Sequence, residues 1–259
     1  MRLTVVGCTG SFPGPDSPAS CYLVEADDDT GRTWRVLLDL GSGALGPLQR
    51  WLAPRDVDAV LLSHLHPDHC LDLTGMYVAL RYHPDGPPPD RIPVYGPEGT
   101  SRRLAEAYGR EEGGKLASVY DVRTWTDGDP VTIGALTIVP SIVDHPVPAY
   151  GLRLEHRVGG RTFVLAYSGD TDACPALTRL AKDADLLLAE ACFSEDRDHA
   201  RHIHLTGLRA GQTAADAGVR RLLLTHLPVW TDPEKAVAEA ASAFDGDVGA
   251  ARPGARYDV

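Results

Sequence analysis

The sequence predicts an α/β fold of two similar halves whose strand ends meet in one cleft. Three observations carry that expectation. Short apolar runs alternate with amphipathic helical stretches along the chain, the pattern of packed strand–helix units. The chain also echoes itself. The runs 35–41 and 163–170 are apolar strands ending in an acid near a glycine, at Asp39 and Asp170, while 59–65 and 221–227 each read as a strand followed by a small hydroxyl residue, a histidine and a leucine. Finally, the segment Ser63-His64-Leu65-His66-Pro67-Asp68-His69 follows directly on the apolar run 57–62, so several metal-type side chains emerge together from a strand end.

Taken in order, strands are expected near 2–7, 21–26, 34–39 and 58–62, with helical patterns near 44–52 and 70–82. The proline-rich stretch 83–90 reads as a surface loop between ordered elements. Further strands are expected near 92–95, 118–125, 131–140, 150–156, 162–167, 185–189 and 220–224, and helices near 97–108, 173–182, 206–217 and 233–244. In the helix at 206–217, Thr206 is the expected cap, Leu208, Ala214, Ala215 and Ala217 form the apolar stripe, and Gly218 is the stop. No linker long enough to separate domains is visible, so 1–259 reads as a single domain.

A chain of 259 residues is long enough to bury a substantial core. It contains no apolar stretch of roughly 18 residues that would span a membrane. Residues 1–7 read as a strand running into a turn, without the apolar core and cleavage site of a signal peptide. The cysteines (Cys8, Cys21, Cys70, Cys174 and Cys192) are odd in number and form no Cys-x-x-Cys pair, so reduced, mostly buried thiols in a cytoplasmic protein are expected. The formal net charge is −11 and lysine occurs only at 115, 182 and 235. That balance argues against long nucleic acids as partners more firmly than against a small anionic substrate, because polymer binding needs many phosphates neutralised. Oligomeric state is not legible, and a homodimer stays open.

In an extended segment alternate residues share a face, so His64 and His66 are placed to grip one cation. Asp68 and His69, past Pro67, are free to turn toward a second. Imidazole and carboxylate suit zinc, manganese or iron and match poorly the all-oxygen cages of calcium. A catalytic metal needs further ligands from other strand ends, and three candidates qualify. His145 follows the run 136–143, Asp170 follows 162–167 beside a glycine that permits a sharp turn, and His226 follows 221–224. Taken alone, each histidine reads as a core residue and Asp170 as a turn residue. Their shared position at the ends of apolar strands makes them candidates.

The order His-x-His-x-Asp-His, then His, then Gly-Asp-Thr, then Thr-His resembles the metallo-β-lactamase superfamily of dinuclear hydrolases, over nearly the whole chain. The resemblance implies a four-layer αββα sandwich holding two divalent metal ions, Zn2+ first and Mn2+ as the alternative. It implies one metal on His64, His66, His145 and Asp170, and a second on Asp68, His69, Asp170 and His226, with Asp170 bridging. The C-terminal third, from His204-Leu205-Thr206 through Ala210-Gly211 and on through 217–226, is similar to the ribonuclease Z-like phosphodiesterases. In that group a histidine at the place of His204 contacts the scissile phosphate, supported by a glutamate in the preceding strand, here Glu190. This chain reads Ala189-Glu190-Ala191 where the tRNA enzymes usually have His-Glu-Ala, and His199 and His202 compete for the role. His204 is preferred because it leads directly into Thr206 and the helix.

The tRNA enzymes also carry an inserted arm containing glycine and lysine, and the span between His69 and His145 offers no long basic insertion. The run 7–23 looks like a compact bacterial subgroup that includes cyclic-nucleotide-degrading phosphodiesterases. Its Gly7, Gly10 and Gly14 depart from the dinucleotide fingerprint and read as a turn lining the cleft. The resemblance therefore implies a metal-dependent phosphodiesterase acting on a small phosphodiester, foremost a 3′,5′-cyclic nucleotide (cAMP or cGMP) converted to the 5′-nucleotide. Asp68 is the candidate to orient the attacking hydroxide and His204 to donate to the leaving oxygen. The alternatives are a ribonuclease Z-type tRNA 3′-processing nuclease and, in another class, a non-catalytic zinc-stabilised nucleotide-binding module. Tyr77, Tyr82 and His83 are candidates for a base pocket, against core packing or simple exposure.

Overall fold

The computed structural model describes residues 1–112 and 114–259. The first half contains β1 (Arg2–Gly7), β2 (Cys21–Asp27), β3 (Thr33–Leu38), α1 (Leu45–Leu48), β4 (Ala59–Leu61), α2 (Pro67–Cys70), α3 (Leu73–Arg81), β5 (Ile92–Gly96), α4 (Thr100–Ala107) and β6 (Tyr120–Thr124). The second contains β7 (Val131–Ile133), β8 (Leu136–Ile142), β9 (Tyr150–Val158), β10 (Arg161–Tyr167), α5 (Pro175–Leu180), β11 (Leu186–Glu190), α6 (Gly207–Ala217), β12 (Arg221–Thr225), α7 (Pro233–Ala241), β13 (Asp247–Ala250) and β14 (Arg256–Asp258).

The strands form two seven-stranded sheets, ordered β14-β1-β2-β3-β4-β5-β6 and β13-β12-β11-β10-β9-β8-β7. Each is mixed. β3 to β6 run parallel in the first sheet and β10 to β13 in the second, and the remaining pairs are antiparallel. Strand alternation explains the layering. Val36 and Leu38 of β3 join Leu154, Leu165 and Leu188 in a core between the sheets, whereas Leu37 points the other way, toward Leu48, Met76, Tyr77 and Leu104 of the helices. Ala210, Ala214 and Ala217 of α6 cover Leu222 and Leu224 on the outer face of the second sheet. Each fully buried leucine stabilises this arrangement by about 1.5–3 kcal/mol. The result is the helix–sheet–sheet–helix sandwich that the family resemblance implies.

Several boundaries differ from expectation. The helical stretch at 44–52 shrinks to one turn, because Gly46 and Pro47 leave little to propagate it. The stretch at 70–82 breaks where Asp72 turns its carboxylate to the backbone N–H of Leu45 at 2.8 Å, and α3 starts at Leu73. The strand at 131–140 is a hairpin, folded at Gly134 with φ of +53°. β13 and β14 carry no strong apolar signal and were not expected. The cap of α6 is as read: the Thr206 hydroxyl accepts from the N–H of Arg209 at 3.2 Å, and Gly218 closes the helix at φ +65°. All five cysteines are free thiols, and among the described residues no helix is long and apolar enough to cross a membrane.

Candidate metal centre

β4 is a short buried strand held between β3 and β5, and its C-terminal end delivers the histidine-rich loop. Ser63 anchors the loop by donating its N–H and its hydroxyl to the two oxygens of Asp39, at 2.7 and 2.8 Å. Pro67 keeps His66 extended and starts α2. That single turn brings Asp68 and His69 inward, where both are buried. Two residues past the end of β10, Gly169 at φ +58° swings Asp170 into the same space. His145 arrives after β8 and His226 after β12.

The structure brings the candidate ligands together in two groups that share one residue. His64, His66, His145 and Asp170 each offer a donor atom within 4.8 Å of the others, and so do Asp68, His69, Asp170 and His226. In the first group His64 Nε2 lies 2.9 Å from His66 Nδ1, which is 3.5 Å from His145 Nε2. In the second, His226 Nε2 lies 3.1 Å from Asp68 Oδ2 and 3.2 Å from His69 Nε2. Asp170 reaches both, with Oδ2 3.7 Å from His64 Nε2 and Oδ1 3.3 Å from His69 Nε2.

Most of the rings are oriented from behind. His69 Nδ1 faces Asp39 Oδ2 at 2.7 Å, His64 Nδ1 faces the Ser63 hydroxyl at 3.1 Å, and His145 Nδ1 donates to the carbonyl of Ile203 at 2.8 Å. Such outer partners fix tautomers and point the other ring nitrogen at a ligand. Burial, with the neighbouring imidazoles, holds His64 well below the usual histidine range, in the neutral form that binds metal. Burial opposes protonation of His226 as well, yet Asp170 and Asp68 overcome it and raise that ring to about 10. The second group thus has a strongly negative potential. A buried Asp170 Oδ1 without a hydrogen-bond donor completes the picture. Imidazoles and carboxylates converging on such a spot fit divalent cations.

Beside the two groups, His204 Nδ1 is held 2.7 Å from Glu190 Oε1. Glu190 is fully buried at the end of β11 and also accepts from the N–H groups of Thr171 and Cys192, at 2.9 and 3.0 Å. Burial disfavours the charged ring, but the Glu190 carboxylate outweighs it and pushes His204 up to about 12. The ring lies 5.5 Å from that of His145 and 5.6 Å from that of His226. His199 and His202 are exposed, and His202 pairs with Asp144 at 2.8 Å. Of the three competing histidines, His204 is the one packed against the donor groups. Tyr77 is in the core, Tyr82 is exposed, and His83 lines a separate cavity with Gln49, Arg55 and Leu80.

Two contributors were not read from the sequence as site residues. In the sequence Asp39 stands out only as the acid of a repeated strand end, yet it orients His69, takes the Tyr167 hydroxyl at 2.7 Å and adopts φ of +59°. Cys192 lies with His204 and His226 in a third close donor group. Its signal, proximity to Glu190 in sequence, is weak. The expected turn at Gly10 does line the cleft: a Cβ there would sit 2.3 Å from the carbonyl oxygen of His226, and the N–H of Ser11 donates to His226 Nε2 at 3.3 Å.

Comparison with known proteins agrees with this architecture. Residues 34–227 match the family described as Beta-lactamase superfamily domain. The chain is 47% identical to protein ML1173 of Mycobacterium leprae over 100% of this chain and 89% of that one. It is 32% identical to the probable metallo-hydrolase YhfI of Bacillus subtilis, over 98% of both, and the crystal structure of YhfI superposes with a TM-score of 0.86 over 99% of this chain and 98% of that one. It is also 30% identical to a ribonuclease Z of Myxococcus xanthus, over 96% of this chain and 94% of that one. The chain thus belongs to the metallo-β-lactamase superfamily, as a metal-dependent hydrolase of its ribonuclease Z-like branch.

Proposed function

We propose that this chain is a phosphodiesterase that hydrolyses a small phosphodiester, foremost a 3′,5′-cyclic nucleotide, to the 5′-nucleotide. The observation that carries the reading is the His204–Glu190 pair at 2.7 Å, set directly against two donor groups that share Asp170. His64, His66, His145 and Asp170 would hold one divalent cation, and Asp68, His69, Asp170 and His226 a second, with Zn2+ favoured and Mn2+ next. When bound, such a pair supplies Lewis acidity and an activated water at neutral pH. Asp68, turned inward by α2, orients the attacking water. His204, kept cationic by Glu190, presents Nε2 to the departing ribose oxygen and donates the proton it needs. The imidazolium also favours the charge that builds on the phosphoryl oxygens.

A second reading, processing of tRNA 3′ ends, is favoured by the identity to a ribonuclease Z. The net charge of −11 weighs against it, since tRNA binding rests on neutralised phosphates. Relatives named as a hydrolase and a nuclease likewise favour catalysis over a zinc-stabilised binding module. The test is turnover of cyclic AMP by zinc- or manganese-loaded protein beside Asp170→Ala. Metal-dependent formation of AMP, abolished by the substitution, is expected. Failure to cleave cyclic AMP, cyclic GMP and bis(p-nitrophenyl) phosphate alike would sink the proposal.

A further inference from the structure

Resting on the phosphodiesterase reading, we infer that Phe12 and Trp230 form a platform on which the nucleobase of the substrate stacks. Both are exposed, at 40% and 59%, and their rings lie 5.4 Å apart at an interplanar angle of 45°. They come from opposite ends of the chain, and what joins them is the donor cluster itself. The loop after β1 is tied to the loop after β12 by the N–H of Gly10, which donates to the carbonyl of Leu227 at 3.2 Å, and by the N–H of Ser11, which reaches His226 Nε2. Ser11 sits at φ +65°, a conformation that is costly for a residue with a side chain. The N–H of Phe12 closes this tight turn on the carbonyl of Gly10 at 2.8 Å. On the other side, the turn from Pro228 to Thr231, closed at 2.8 Å, presents Trp230 four residues beyond His226.

Both aromatic residues are therefore carried by the two loops that meet at His226. In a nucleotide only the ribose separates phosphate from base, so a phosphate beside His226 puts its base within reach of these two loops. The residues beside the two rings (Pro13, Gly14 and Pro15 on one loop, Leu227, Pro228 and Val229 on the other) are uncharged, with Asp16 and Asp232 the nearest charges along each loop. A neutral planar ring is the ligand such a surface fits, and base–aromatic stacking needs no particular hydrogen-bond pattern. Tyr77, Tyr82 and His83, the aromatic candidates of the sequence, point elsewhere.

The test compares AMP with ribose 5-phosphate by calorimetric titration of the metal-loaded protein, in wild type, Trp230→Ala and Phe12→Leu. The expected result is AMP bound about ten-fold more tightly than ribose 5-phosphate, the size of one base–aromatic stack, with each substitution removing most of that preference. Phe12→Leu keeps an apolar side chain and guards against a loop that simply loses its shape. AMP binding needs no turnover, so a protein that leaves cyclic AMP intact overturns the phosphodiesterase reading alone. Equal affinities for AMP and ribose 5-phosphate, or a preference indifferent to both substitutions, overturn the platform alone. A dimer lost on Trp230→Ala while the AMP preference persists assigns the patch to a second copy of the chain and overturns it too.

Discussion

Asp39 Oδ2 lies 2.7 Å from His69 Nδ1, with both side chains completely buried and the two residues thirty positions apart in the chain. The carboxylate also collects the N–H and hydroxyl of Ser63 and the hydroxyl of Tyr167. It therefore fixes His69 with Nε2 facing Asp68, Asp170 and His226, and it locks the start of the histidine loop. Asp39→Asn keeps the shape and removes the charge. The expected outcome is a loss of about 10–100-fold in affinity for the second cation, read by competition with a chromogenic chelator. Unchanged affinity with an intact fold would show that Asp39 only props up the loop.

The Glu190–His204 pair has a consequence for pH dependence. A general acid works while protonated, and Glu190 keeps His204 protonated up to about pH 12. Wild-type kcat should therefore show no alkaline decline from this group across the practical pH range. Glu190→Gln takes away the carboxylate, so the ring falls back toward about 6.5 or lower and kcat declines as pH rises through neutrality. His204→Ala should lower kcat by about 10²–10⁴ at every pH, with metal content unchanged. A pH profile identical in wild type and Glu190→Gln would remove His204 from the acid role.

Metal removal should cost stability, because only the folded chain gathers Asp68, Asp170 and their imidazoles into donor groups that hold a cation. Cations bound at about a hundred times their dissociation constant would stabilise the fold by about 2.7 kcal/mol. For a chain of this size that corresponds to roughly 5–10 °C in Tm. The comparison is thermal melting after chelation and after readdition of zinc. His66→Ala and Asp68→Ala should each blunt the response, and a Tm indifferent to zinc would leave the two groups without a metal.

Much of this site was legible because the ligand types share one kind of position. Singly, His145, Asp170 and His226 read as core or turn residues; their shared place at the ends of apolar strands, with the His64 loop, marks them as candidate ligands. What could not be read were partners defined by the fold. Nothing in the sequence joins Asp39 to His69, and His145 is oriented by the carbonyl of Ile203, which has no side-chain signal at all. Phe12 and Trp230 meet only because two loops are tied together at Leu227. The same holds for the fold. β13 and β14 exist because parallel pairing to β12 and antiparallel pairing to β1 satisfy their backbones, not because their side chains ask for a strand.

Gly169 offers the sharpest separation of fold from function. Its φ of +58° costs a side-chain-bearing residue about 1–3 kcal/mol. A Cβ there would also lie 2.8 Å from the carbonyl oxygen of Tyr150 and 2.9 Å from Cβ of Ser63. Neither neighbour can give way easily, since the N–H of Tyr150 is bonded to the carbonyl of Ser63 at 2.9 Å and Ser63 is pinned by Asp39. Relief must therefore come from residue 169 itself, and Asp170 is displaced with it. Gly169→Ala should lose both cations and nearly all turnover while melting only several degrees lower. Gly160→Ala is the control: its φ is +79° but open space surrounds the new methyl group, so it carries the backbone cost without touching the centre. If both variants keep full metal content, measured by elemental analysis after dialysis, the turn at Gly169 does not set the position of Asp170.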